Sequence, residues 1–166
     1  YAQLLFSNAF GGTMSSRLFR RIREESGLAY SVYSYPTAYD RSGFITLYAG
    51  TGPENAAEVT RIMLAELELV RKEGLSSEEL IRAKDQLTAS FLMAGESTSA
   101  RSSAIGRAEL SQKKHLTEEE VIDRIASVTM NDVETVLERV CDITDISSCV
   151  VGKCGAAEKE LRALLG

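Results

Sequence analysis

Between Pro53 and Gly74 the apolar residues Val59, Ile62, Met63, Leu67 and Val70 recur at three- and four-residue spacing, which predicts a helix with one buried face. Thr51-Gly52-Pro53-Glu54 opens this helix, with Pro53 in its first turn, and Gly74 closes it. Ser76 and Glu79 then form a capping-box pattern ahead of Leu80, Ala83, Leu87, Phe91 and Ala94 on one side of the next helix. The pattern returns at Thr117 and Glu120, before Val121, Ile122 and Ile125, and Thr129 caps another helix through Val133, Val136, Leu137 and Val140. Residues 99–111 read as a helix of small residues. At the start, Ala2 to Phe10 has helical character and stops at Gly11-Gly12; Ser15 or Ser16 caps a second helix that runs to about Ser26, where Gly27 ends it.

Two stretches break this helical rhythm. Leu28 to Tyr35 and Phe44 to Ala49 are rich in β-branched and aromatic residues and flank a polar connection with Pro36, Asp40 and Gly43, which predicts adjacent antiparallel strands. Ile146 to Val151 is a third run of strand type, and Ala156 to Leu165 reads as a closing helix or a loose tail. Two helices, two strands, a row of helices and a late strand give an α+β fold: a largely antiparallel sheet with helices on one face. At 166 residues one domain suffices. The chain opens on Tyr1 in mid-pattern without an N-cap, which reads as a cut fragment. A strand lost ahead of Tyr1 would leave a sheet edge exposed.

Composition narrows the function classes. With 44% hydrophobic and 26% charged residues the chain is of ordinary globular type, and a net charge of −5 argues against a nucleic-acid partner. No run of about 18 apolar residues offers a membrane span. Cys141, Cys149 and Cys154 are an odd set without a CxxC pair, which suggests neither a disulfide framework nor a cysteine metal site and makes a reducing cytoplasm the simpler location. Cys149, in an apolar run, is expected to be a buried small hydrophobe. His115, the single histidine, follows two lysines and precedes a capping threonine, so a surface loop residue is expected rather than a ligand. Nucleophile-elbow, phosphate-loop and dinucleotide motifs do not occur.

The informative stretch is Gly11-Gly12-Thr13-Met14-Ser15-Ser16-Arg17-Leu18-Phe19, continuing through Ile22-Arg23-Glu24-Glu25-Ser26-Gly27-Leu28-Ala29-Tyr30. With Tyr48-Ala49-Gly50-Thr51, the Glu79–Lys84 segment, Glu96-Ser97-Thr98 and Val128-Thr129 in the same order, it resembles the C-terminal half of pitrilysin/insulinase-type zinc peptidases, among them the mitochondrial processing peptidases and insulysin. The resemblance implies that residues 1–166 are a single substrate-binding domain of a longer zinc metalloendopeptidase, inactive alone. It also implies that an arginine seven residues before a tyrosine holds the substrate or its developing oxyanion, and Arg23 and Tyr30 match that spacing. Gly11 and Gly12 match a substrate-contacting loop, although Thr13 stands where relatives often carry another glycine.

The residues on their own leave alternatives. Arg23 is also one of four arginines, with Arg17, Arg20 and Arg21, on a helix that Glu24 and Glu25 can neutralise. Tyr30 alternates with Leu28 and Val32 and could belong to the core. The glycine pair could simply stop a helix. The family cleaves through an HxxEH motif that this chain lacks, so the resemblance places Zn2+ in an N-terminal half, in the same or a partner chain, with a peptide as substrate. A homo-oligomer would follow if a missing neighbour leaves apolar surface. A non-catalytic scaffold or peptide receptor is the alternative function.

Overall fold

The computed structural model describes residues 1–39, 41–112 and 116–165, which leaves His115 and Asp40 outside the described residues. Helix α1, Ala2–Ser7, runs without a break into a wider π-helical turn, Asn8–Gly12. Leu5, Phe6 and Phe10 on it are fully buried, and the rings of Phe6 and Phe10 stack at 5.3 Å. This apolar segment is the centre of the domain: strand β1 (Ala29–Ala38) covers one side, while helices α3 (Ser77–Gly95) and α6 (Met130–Val140) pack on others.

Strands β1, Ala29–Ala38, and β2, Gly43–Thr51, form an antiparallel hairpin in which Tyr33 faces Tyr48 and Val32 faces Ala49. Ala29, Val32 and Ser34 are buried beneath it, and Ile45, Leu47 and Ala49 pack on the same core. The other face is open to solvent, so the helices lie on one face only, as the sequence predicts.

The remaining helices follow the local signals closely. Helix α2, Ala56–Glu73, ends at Gly74, whose φ of 75° is readily adopted only without a Cβ. Its start lies later than the sequence suggests: Gly52 to Asn55 form a turn closed by the Asn55 N–H on the Gly52 carbonyl, so Pro53 precedes the helix instead of opening it. Helix α3, Ser77–Gly95, carries the Ser76–Glu79 capping box; α5, Glu118–Ser127, carries the Thr117–Glu120 box; α6, Met130–Val140, carries one between Thr129 and Asp132. Helix α4, Thr98–Arg107, capped by Ser97, buries no residue and passes into a π-helical turn at Ala108–Gln112. Helix α7, Ala157–Leu165, closes against α2 through buried Leu161.

Three expectations need correction. Residues Phe19–Glu25 form a π-helix rather than an α-helix, and neither serine caps it: the Ser16 hydroxyl turns back to the Thr13 carbonyl at 2.6 Å. Ile146 to Val151 is not a strand, because no neighbouring strand among the described residues offers it a ladder; Val150 and Val151 are exposed. Cys149, in that unpaired run, is exposed too. The buried thiol is Cys141, at the end of α6, where desolvation pushes its pKa up to about 12.

Candidate functional site

The helix that carries Arg23 is held at both ends. Leu18 and Ile22 are fully buried and fix its inner side. At its C-terminus Gly27 takes a φ of 62°, the Leu28 N–H returns to the Ile22 carbonyl at 2.9 Å, and the Ser26 hydroxyl donates to the Arg21 carbonyl at 2.7 Å. Carbonyls that would otherwise lack partners are thereby satisfied, and the chain reverses sharply into β1.

The four arginines of this region have different surroundings. Arg17 makes a two-pronged ion pair with Glu79, Nε to Oε1 at 2.5 Å and Nη2 to Oε2 at 2.7 Å, and also donates to the Gly74 carbonyl at 3.0 Å. Burial alone would push the Glu79 carboxyl up. The hydrogen bonds from Arg17 and the Ser76 backbone, with the Arg17 charge, outweigh burial and hold it at about 2. Arg20 pairs with Glu25, and Arg21 with Glu25 and Glu66. Arg23 has no carboxylate and no hydrogen-bond acceptor among the described residues. Its Cζ lies 4.6 Å from the centre of the Tyr30 ring and 4.9 Å from that of Phe19. The two rings orient the guanidinium through its faces and leave its five N–H donors for something else.

Tyr30 owes its position to a strand irregularity. Ala29 pairs with Thr51 and Ser31 with Gly50, so Tyr30 is one extra residue on β1, a β-bulge. Strict alternation from Val32 would point Tyr30 inward. With the bulge, Ala29 takes the inner place at 5% exposure while Tyr30 stands 79% exposed. Its hydroxyl has no partner among the described residues. Sequence and structure therefore agree that Arg23 and Tyr30 come together, and the core alternative for Tyr30 does not hold. Phe19, the third member, was missed in the sequence, although its four-residue spacing from Arg23 on a helix was a usable signal.

The two glycines have surroundings different from those of this pair. Gly11 is buried beneath β1: a Cβ there would meet the Ser34 N and Oγ, each at 2.7 Å. Ser34 is itself pinned, its hydroxyl donating to the Ser7 carbonyl at 2.9 Å, so the Ser7 hydroxyl must be the donor in the 3.1 Å contact between the two side chains. Close packing accounts for Gly11. Gly12 is exposed. A cleft of about 360 Å³ lies between the adjoining turn and α3, lined by Asn8, Thr13, Ser15, Arg82, Asp85 and Gln86, and includes neither Arg23 nor Tyr30.

Among the described residues no three His, Cys, Asp or Glu side chains are grouped as a metal site requires, so these residues do not fit a zinc centre. No helix among them is long and apolar enough to cross a membrane.

The protein described as the uncharacterized zinc protease YmxG of Bacillus subtilis is 38% identical over 133 residues, covering 80% of this chain and 32% of its own length. A solved structure of a conserved protein from Enterococcus faecalis V583 is similar at 31% identity and a TM-score of 0.70, covering 83% of this chain and 32% of that one. The peptidase M16 inactive domain from Pseudomonas fluorescens shares the fold at a TM-score of 0.72 and 22% identity, over 84% of this chain and 33% of its own. The chain thus spans about a third of the length of these relatives. A family model described as the peptidase M16 inactive domain matches residues 1–87, more than half of the sequence, and the chain belongs to that family.

Proposed function

We propose that this chain is the substrate-holding, metal-free domain of a longer zinc-dependent endopeptidase, with residues 1–166 acting as one C-terminal domain and Arg23 and Tyr30 as its catalytic donors. The observation that carries this reading is the guanidinium of Arg23: three neighbouring arginines are paired with carboxylates, while Arg23 is held by two aromatic faces and its donors meet no acceptor among the described residues. A planar fork beside a phenol hydroxyl suits a peptide carbonyl oxygen that gains negative charge as its carbon becomes tetrahedral. One such donor contributes about 3 kcal/mol to a transition state. The metal belongs to the rest of the polypeptide or to a partner chain. Gly12, exposed at its turn, is the glycine able to approach a substrate backbone. We place the protein in the cytoplasm, where its three thiols stay reduced.

In the full-length protein, Arg23→Met should lower kcat for peptide cleavage about 100-fold. Tyr30→Phe keeps the ring over Arg23 and removes only the hydroxyl, and should also lower kcat, with bound zinc unchanged in both. Undiminished turnover in either variant removes that residue from catalysis. An upstream sequence without HxxEH, together with no bound zinc, would instead favour the scaffold or peptide-receptor reading.

A further inference from the structure

Five of the six tyrosines, Tyr30, Tyr33, Tyr35, Tyr39 and Tyr48, belong to the β1–β2 hairpin or its connection, and all five are exposed. On the solvent face Tyr33 stacks on Tyr48 at 4.7 Å and lies 6.0 Å from Tyr35, while Tyr39 meets Phe44 at 6.4 Å near the tip. Cross-strand stacking stabilises a hairpin, and one pair suffices for that. A series of rings along the length of the outer face goes beyond it, and contiguous exposed aromatic surface marks an interaction site.

The chemistry of this face selects its occupant. Neither β1 nor β2 contains an Asp, Glu, Lys or Arg, although 26% of the chain is charged. A charged ligand side chain laid here would lose water without gaining a partner. The rings offer flat apolar faces edged by hydroxyls, which suit aromatic and aliphatic groups. Their 6.0 Å spacing along β1 is close to the roughly 7 Å repeat of alternate side chains in an extended peptide. The row is also continuous with the proposed clamp: Tyr33 lies three residues beyond Tyr30, about 10 Å along the strand.

We propose that the outer face of the hairpin, centred on Tyr33, Tyr35 and Tyr48, is a specificity surface that selects extended peptides carrying uncharged aromatic or aliphatic side chains at alternate positions. The inference rests on the peptide-holding role assigned above and adds the class of substrate. A peptide on this face sets its alternate side chains against the rings, with its backbone leading toward Arg23.

The test uses the full-length protein stripped of zinc by a chelator, so that the probe is bound and not cut. Fluorescein-labelled peptides bearing Phe, Ala or Glu at every second position are titrated by anisotropy. The Phe peptide should bind about tenfold more tightly than the Ala peptide, the gain expected from one or two ring contacts, and the Glu peptide more weakly than either. Tyr33→Thr with Tyr48→Thr, which retains strand propensity, should reduce the preference to below about twofold with an unchanged circular dichroism spectrum. In the zinc-loaded protein this variant should raise KM for the Phe peptide and leave kcat unaltered. Equal binding of the Phe and Ala peptides, or a preference that survives the double substitution, overturns the proposal. So does protection of Tyr33 and Tyr48 from nitration before any peptide is added, which would mean that another part of the polypeptide or a second copy already covers the face. If Arg23→Met leaves kcat intact while the Phe preference still depends on Tyr33 and Tyr48, the clamp fails and the specificity surface stands.

Discussion

Replacing Glu79 by Gln isolates the charge of a well-enclosed ion pair. Both partners are only 16% exposed, and the pair joins the start of α3 to the end of α2, because Arg17 also donates to the Gly74 carbonyl. Glutamine retains the shape and still serves the capping box with Ser76. What disappears is the carboxylate. A carboxyl brought down from 4.5 to about 2 corresponds to about 3 kcal/mol of stability at neutral pH, and partial solvent access reduces this to about 2 kcal/mol. Because the folded-state pKa is depressed, the contribution is complete above pH 4.5 and disappears as pH falls toward 2. Urea unfolding of wild type and Glu79→Gln should therefore differ by about 2 kcal/mol at pH 7 and by less than about 1 kcal/mol near pH 3. A difference that does not vary with pH, or one below about 0.5 kcal/mol at pH 7, would refute the assignment of this stability to the ionised pair.

Other positions make further tests. Gly11→Ala places a methyl group against the backbone of Ser34 and should cost about 1 to 3 kcal/mol in denaturant titration, whereas Gly12→Ala comes no nearer than 3.2 Å, to the Ser7 carbonyl oxygen, and should cost less. Cys149 should react promptly with a maleimide, and Cys141 only after unfolding, because it is buried and its thiol is held protonated; mass spectrometry of partially labelled protein reads the order. Thr129→Ala should lower stability by about 1 kcal/mol through loss of the α6 cap, read in the same unfolding assay.

The helices were legible because their signals are local. Ser76 with Glu79 and Thr117 with Glu120 form their caps from residues three apart, whatever the remainder of the chain does. The strand pair was legible from composition, but the orientation of Tyr30 was not, since one unpaired residue in β1 reverses the alternation and only the pairing with β2 reveals it. Residues 146–151 misled for a related reason: an apolar run has strand character, yet a strand exists only where another strand satisfies its backbone. Arg23 and Tyr30 were found by resemblance, since four arginines in seven positions give composition no means to choose among them. The choice depends on which of them found carboxylates in the fold.

Arg23 and Tyr30 each stand on a departure from regular backbone, the widened helix of Phe19–Glu25 and the extra residue at Tyr30. Each acts as a phase setting. Deleting one residue from the helix would swing Arg23 away from its present direction about the helix axis, and removing the bulge would send a phenol from solvent into the core. A single codon lost on either side of Gly27 would uncouple the guanidinium from its ring while sparing most of the hydrophobic interior, so a change of length, like a substitution at Arg23, would separate the proposed activity from foldedness.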